Sequence, residues 1–239
     1  MLNINIITPF PSMFDSILNE SILLKAKQKS IVKYNIFNLF DYLGKNSVRI
    51  DDYPFGGTAG MLIKPEPVFK AVEDIKSSSK DNFRVIFPTP DGKLFDQEKA
   101  KELSEESSLI FICGHYKGID QRIRDNIITD EISIGDFVLT NGELPTMIMI
   151  DSIVRLRKGV LNNFSSATKD SFYSPLLDGP HYTRPRSFRG LDVPDILLSG
   201  NHEEIKSWFL NERELKTKKL RKDLWKKYKS DKENGVKNG

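Results

Sequence analysis

Apolar positions along the 239-residue chain change period repeatedly, and each change predicts an element. Leu2, Ile4 and Ile6 alternate with polar residues, as in a half-buried strand. Ser12 stands at an N-cap position with Asp15 at the capping-box position, and Met13, Phe14, Ile17, Leu18 and Ile22 form one helical face. A second strand is predicted at Val32–Phe37, with Val32, Tyr34 and Ile36 on one side. The glycine-rich FGGTAGM (Phe55–Met61) reads as a loop, and Pro65 and Pro67 lead into a helix through Phe69, Val72 and Ile75. A strand at Phe83–Phe87 ends in PTPDG, and a helix follows from about Asp96 to Glu106. The strand Leu109–Cys113 stops at Gly114, a helix-like stretch covers Gln121–Ile127, and the strand Ile132–Ile134 stops at Gly135. A long helix, about Leu144–Leu156, is apolar over most of its circumference and is expected to be buried. Such alternation argues for an α/β fold, a parallel sheet covered by helices, and pattern alone describes a doubly wound sheet.

The period breaks after Gly159. Leu161–Asp178 is rich in Asn, Ser, Thr and Lys and reads as a linker or a mobile functional loop. Beyond it, Asn201 is a predicted N-cap with Glu204 three residues on, and Ile205, Trp208 and Phe209 supply an apolar face. Leu220, Leu224 and Tyr228 keep helical spacing, so the C-terminal part is expected to be a small helical domain with its last ten residues frayed.

Three strand ends, PTPDG, CGHYKG and SIGDFVLTNG, are each punctuated by glycine, and ligands of open α/β sheets bind at such carboxyl ends. Any one of them alone is an ordinary turn; three in succession suggest one shared pocket. None carries the glycine fingerprint that grips phosphates, which points to a nucleoside-bearing ligand without them. Pro88 and Pro90 stiffen the first loop, and Tyr116 and Phe137 offer aromatic walls. Arg155 near the end of the buried helix and Asp170 in the irregular segment form a second candidate constellation. Read from the residues alone, they are equally a helix-end charge and the N-cap of SFYSPLL. GPHYTRP (Gly179–Pro185) sets His, Tyr and Arg between prolines, a composition for stacking and phosphate contact or for a plain surface loop.

Net charge is only +3, yet Arg213–Lys229 alone carries a balance of +7, leaving the rest at −4. A basic tail on a mildly acidic body fits a nucleic-acid-binding appendage as well as a solvated helix. Cys113 is the single cysteine, so no intramolecular disulfide forms, and the three dispersed histidines make no typical zinc site. No apolar run reaches eighteen residues, and MLNINIITPF lacks the marks of a signal peptide. A cytoplasmic protein with no membrane partner is expected.

FGGTAGM, FPTPDG, FICGHYKGIDQR, SIGDFVLTNGELP, KDSFYSPLLDGPHYTRP and VPDILLSGNH, in this order, closely resemble the bacterial tRNA (guanine-N1)-methyltransferases. These belong to the trefoil-knotted methyltransferase superfamily. The similarity runs from Ile6 to about Trp208. It implies a deep trefoil knot in the parallel-sheet domain, which periodicity does not suggest, and a homodimer whose site is shared between subunits. It implies S-adenosylmethionine as donor and tRNA as substrate, methylated at the guanosine immediately 3′ of the anticodon. The cofactor-binding positions carried over are Phe87, Pro88, Thr89, Pro90, Gly114, Tyr116, Ser133, Ile134, Gly135, Asp136, Phe137, Val138, Leu139, Gly142 and Pro145. Asp170 matches the general base and Arg155 the group that stabilises charge on O6. Substrate contacts are expected from Gly56, Gly57, His181, Tyr182 and Arg184. The family allows for magnesium, but no protein ligand cluster marks a metal site. Residues 1–160 are then the cofactor-binding domain, 161–178 the linker and 179–239 the tRNA-binding helical domain. Two positions depart from the family pattern: Lys117 replaces the usual acid after the tyrosine, an acid linked to cofactor binding, and Ala59 replaces a proline of the glycine loop. The alternatives to this function are an impaired tRNA-binding homologue and a knotted methyltransferase acting on another RNA.

Overall fold

The computed structural model describes residues 1–45, 47–79, 82–161 and 170–234, and the chain divides into two compact units, Met1–Asn162 and Asn163–Gly239. In the first unit, β1 (Leu2–Thr8) is followed by the short helices α1 (Asp15–Leu18) and α2 (Ser21–Gln28), then β2 (Val32–Asn38). The two-residue strands β3 (Asp51–Asp52) and β4 (Leu62–Ile63) pair antiparallel and precede α3 (Pro65–Ser77). Strand β5 (Arg84–Leu94), α4 (Gln97–Ser104), β6 (Ser108–Ile112), α5 (Gln121–Asn126), β7 (Asp130–Ser133) and α6 (Glu143–Val154) complete the unit.

Five strands form one parallel sheet in the order β2-β1-β6-β5-β7. Central β6 is buried at every residue, as a parallel strand covered on both faces must be. Its side chains alternate between two apolar clusters. Leu109 and Phe111 join Leu23 of α2, Leu103 of α4 and Ile150 and Ile153 of α6 on one face. Ile110 and Ile112 join Val68 and Val72 of α3 and Ile123 of α5 on the other. Each such side chain contributes about 1.5–3 kcal/mol by leaving water, and together they clamp the sheet between two helical layers. At the edge, Arg84 of β5 forks onto Asp130 of β7 at 2.5 and 2.8 Å and also reaches Glu102 and Glu106. Burial pushes the Asp130 carboxyl up, but the Arg84 and Thr129 hydrogen bonds outweigh it and hold the group below the usual range.

Two elements differ from the sequence expectation. The helix predicted from Ser12 through Ile22 is a 3-10 turn, Pro11–Phe14, followed by α1 and, after a break, α2. Ser12 lies inside the 3-10 turn that Pro11 opens, and no side chain caps that turn. The Asn19 side-chain amide donates to the Asp15 carbonyl at 2.9 Å, competing with the backbone at the break. The strand predicted to end at Phe87 instead runs on as β5 to Leu94. Its register on β7 slips between Pro88 and Lys93, so the turn-forming PTPDG is looped out of a continuing strand.

In the second unit, a hairpin of Ser187–Phe188 and Leu191–Asp192 and a 3-10 turn, Asp195–Leu198, precede the helices His202–Leu220 and Lys222–Glu233. Asn201 caps the longer helix by accepting from the Glu204 N–H at 3.4 Å. The basic segment is partly structural. Arg213 donates to the Leu177 carbonyl and the Ser174 hydroxyl, each at 3.2 Å, and Lys216 donates to the Asp178 carbonyl at 2.8 Å. Thr217, fully buried, accepts from the Leu177 N–H at 2.9 Å. Of the expected linker 161–178, residues 162–169 lie outside the described residues, as do 235–239 of the tail expected to fray.

Candidate active site

Strands β6, β5 and β7 are neighbours, so the loops leaving their carboxyl ends meet. They enclose a cavity of about 270 Å³. Phe87, Pro88, Thr89 and Pro90 line it from β5, Gly114 and Tyr116 from the loop after β6, and Ser133, Ile134, Gly135, Phe137, Val138 and Leu139 from β7 and its loop. Gly142 and Pro145 close it at the start of α6. Every residue that the resemblance assigned to the cofactor is therefore in this wall except Asp136, which is exposed on the same loop but does not line the cavity. His115, Lys117, Gly118, Thr140 and Asn141, which belong to the same loop motifs but were not assigned to the cofactor individually, and Ile132 also line it.

The wall is braced locally. Asp91, within the looped-out part of β5, accepts from the Thr89 hydroxyl and from Arg124 at 2.8 Å; these two bonds hold its carboxyl below the usual range. Arg124 also forks onto Glu131 of β7 at 2.6 and 2.7 Å, and its guanidinium lies 5.8 Å from the Phe87 ring centre. One arginine thus ties the β5 loop to β7. On the other side the loop after β7 folds back onto the end of β6: the Gly142 N–H donates to the Gly114 carbonyl at 2.8 Å, and His115 bridges Asn141.

Beneath this junction lies an unexpected polar cluster. Glu143, the first residue of α6, is completely buried. Its Oε1 accepts from the Thr8 hydroxyl at 2.5 Å, and its Oε2 lies 2.8 Å from His115 Nε2. Thr8 Oγ1 in turn accepts from the Phe10 N–H at 2.9 Å, and the Phe10 ring packs 4.9 Å from that of His115. Burial, reinforced by the Glu143 charge, pushes the Cys113 thiol well above its ordinary range, so it serves as packing rather than as a nucleophile. A lone acid among apolar residues in NGELP was the available signal for Glu143, but pattern reading has no means of pairing it with Thr8.

One departure from the family pattern, Lys117, packs against the residue that follows the other, Ala59. The Lys117 N–H donates to the Met61 carbonyl at 3.0 Å, and the Lys117 stem lies across Gly60, next to Ala59. Gly60 has φ +106°, and a Cβ there would come within 2.7 Å of Lys117 Cγ. Glycine at 60 therefore makes room for the lysine stem.

Arg155 caps the end of α6 and is half-buried; its N–H donates to the Asp151 carbonyl at 3.1 Å. Asp170, also half-buried, belongs to the second unit, where its carbonyl accepts from the Tyr173 N–H at 3.4 Å. Gly56 and Gly57 are exposed with positive φ, and open space surrounds the position of an added Cβ at either. His181, Tyr182 and Arg184 are exposed in the second unit, with His181 Nε2 2.8 Å from Asp178.

Chemically, the cavity pairs apolar and proline walls with loop backbone and has Lys117 as its one cationic lining residue. That suits a nucleoside ligand without phosphates and is near the lower size limit of small-molecule sites. Among the described residues, no group of three or more His, Cys, Asp or Glu could hold a metal ion, and no helix is long and apolar enough to cross a membrane.

The sequence profile of the family described as tRNA (Guanine-1)-methyltransferase TrmD matches residues 2–227. A tRNA (guanine-N(1)-)-methyltransferase of Bacillus cereus (strain AH820) is 50% identical over 223 residues, covering 93% of this chain and 91% of that protein. Proteins of the same name from Bacillus anthracis (strain A0248) and Bacillus thuringiensis subsp. konkukian (strain 97-27) match with the same identity and coverage.

Proposed function

This chain belongs to the tRNA (guanine-1)-methyltransferase family and is a tRNA (guanine-N1)-methyltransferase, and on that premise we propose how its residues divide the work. The donor, S-adenosylmethionine, occupies the cavity at the ends of β5, β6 and β7. The observation that carries this assignment is the convergence on one cavity of three glycine-punctuated loops, none with the glycine fingerprint that grips phosphates. The acceptor is N1 of the guanosine immediately 3′ of the anticodon.

Guanine N1 carries a proton and is a poor nucleophile until that proton is removed. The Asp170 carboxylate takes it as general base. Arg155 then stabilises the negative charge that builds on O6, through a charge-assisted hydrogen bond. When bound, the donor supplies an electrophilic methyl group on a sulfonium. The loops of the cavity would hold the donor, and positioning its methyl group against N1 would supply much of the rate. The second unit holds the tRNA, with exposed His181, Tyr182 and Arg184 available for stacking and phosphate contact. Residues 1–160 then serve the cofactor and 179–239 the RNA, joined by 161–178. The described residues offer magnesium no cluster of protein ligands. A cytoplasmic setting goes with a tRNA substrate.

The test is methyl transfer to two tRNA transcripts, with and without guanosine at the target position. Only the first is expected to be methylated; methylation of both, or of neither, overturns the assignment.

A homodimer belongs to the same proposal. The first unit exposes Phe137, Val138 and Leu139 beside the cavity and Leu144 and Ile148 on α6, with Val138 83% exposed. Apolar residues this exposed along one loop and helix are those a partner would cover. Sedimentation at micromolar concentration is expected to give twice the chain mass, and Val138→Asp to shift it toward the monomer. A monomeric wild type removes the shared-site arrangement.

A further inference from the structure

Glu143 has no part in the chemistry above, yet it is the charged group set deepest against the cavity. It is fully buried, while Gly142 before it, Pro145 after it and His115 in contact with it all line the cavity. A carboxylate without water is costly unless its oxygens are satisfied. Both are: Thr8 donates to one at 2.5 Å and His115 meets the other at 2.8 Å. The first turn of α6 adds the favourable end of the helix dipole. Among the described residues no lysine or arginine pairs with it, and His115 meets it through Nε2 as a hydrogen-bond partner. Cys113, packed nearby, carries no positive charge. The wall therefore has a held negative charge one residue behind its surface.

We propose that Glu143 is a specificity-determining residue that makes the cavity prefer the cationic sulfonium donor over the uncharged thioether product. The role rests on the donor site proposed above. In the transfer the S–CH₃ bond breaks with its electron pair left on sulfur, the N1–CH₃ bond forms, and the N1 proton goes to Asp170. The ligand left in the cavity has lost one positive charge. A fixed anion behind the wall attracts the ligand before transfer and has no net charge on sulfur to attract after it. At an effective dielectric of about 20, a unit-charge interaction across about 12 Å corresponds to roughly tenfold in relative affinity.

The experiment is calorimetric titration of the full chain with S-adenosylmethionine and, separately, S-adenosylhomocysteine. Glu143→Gln is nearly isosteric and is expected to weaken donor binding roughly tenfold while product binding stays within about twofold. Glu143→Asp keeps the charge, and is expected to keep the ratio of the two affinities even if both fall. An equal loss for both ligands in Glu143→Gln, or no loss for either, overturns the proposal and leaves Glu143 a packing residue. Should Glu143→Gln fail to fold, a changed ratio in Glu143→Asp overturns it instead. Leu139→Trp separates the two layers of inference. It fills the cavity and is expected to abolish binding of both ligands; normal binding by that variant would show that the donor site itself lies elsewhere.

Discussion

Asp170→Asn is expected to slow single-turnover methylation of tRNA by about 10²–10⁴-fold, the usual contribution of a positioned general base, while tRNA and donor affinities stay within about twofold. The amide has nearly the shape of the carboxylate, and the Tyr173 contact uses the main-chain carbonyl of residue 170, which the substitution leaves in place. What is lost is the ability to accept the N1 proton. The neutral guanine then remains in place, bound and unreactive. Arg155→Ala, measured alongside, is expected to lose about 10²–10³-fold, the scale of one removed donor to a developing oxyanion. The two losses should not add, because charge on O6 develops only as N1 is deprotonated. Raising the pH offers a further check. If Asp170 is the base, alkaline solution should partly restore the Asn variant by deprotonating guanine directly, and should do less for Arg155→Ala. Near-normal turnover by Asp170→Asn, or a loss that follows weakened tRNA binding, removes Asp170 from the role.

The framework of the first unit was legible because burial and period agree. Strand β6 reads as an apolar run and is buried on both faces; α6 reads as apolar over most of its circumference, and Met147, Ile150, Ile153 and Val154 are buried while Leu144 and Ile148 stay exposed. Asn201 and Asp96 were readable as caps or helix starts, and both side chains accept from the N–H three residues on. What failed to read was whatever depended on a partner distant in sequence. PTPDG has the composition of a strand's end, and only its two-sided register on β7 makes it a loop within a strand. Ser12 looked like a cap because nothing local reveals that Pro11 opens a tighter turn. In the site, glycine-ended strands pointed to the cavity, since such ends repeat a recognisable local pattern. Its polar foundation did not show: Thr8 and Glu143 are 135 positions apart, and nothing local to either one pairs them. Lys117 was visible as a departure from the family, but not that its stem would lie on Gly60.

Gly142→Ala is expected to reduce donor affinity by a hundredfold or more and to lower the melting temperature by several degrees. The backbone dihedrals are not the obstacle, since φ −87° and ψ −8° suit alanine. The obstacle is what the methyl group would meet. An added Cβ would sit 2.6 Å from the Gly114 nitrogen, 2.9 Å from Cys113 Cα and 3.1 Å from the Cys113 carbonyl carbon. All three are main-chain atoms at the end of buried β6, so no side chain can swing aside. The two loops must separate, which stretches the 2.8 Å bond from the Gly142 N–H to the Gly114 carbonyl and shifts the wall on both sides of it. Overpacking of this kind typically costs about 1–3 kcal/mol, corresponding to roughly 2–12 °C in melting temperature for a cooperative unit of this size. Binding suffers more than stability because Gly114 and Gly142 are both wall residues, and a cavity this small tolerates little displacement. Gly56→Ala is the control. Its φ of +86° imposes backbone strain, but nothing lies within 4 Å of the added methyl, so stability is expected to fall modestly with donor affinity unchanged. If Gly142→Ala binds the donor normally and melts within a degree of the wild type, the meeting of the β6 and β7 loops is not what shapes the site.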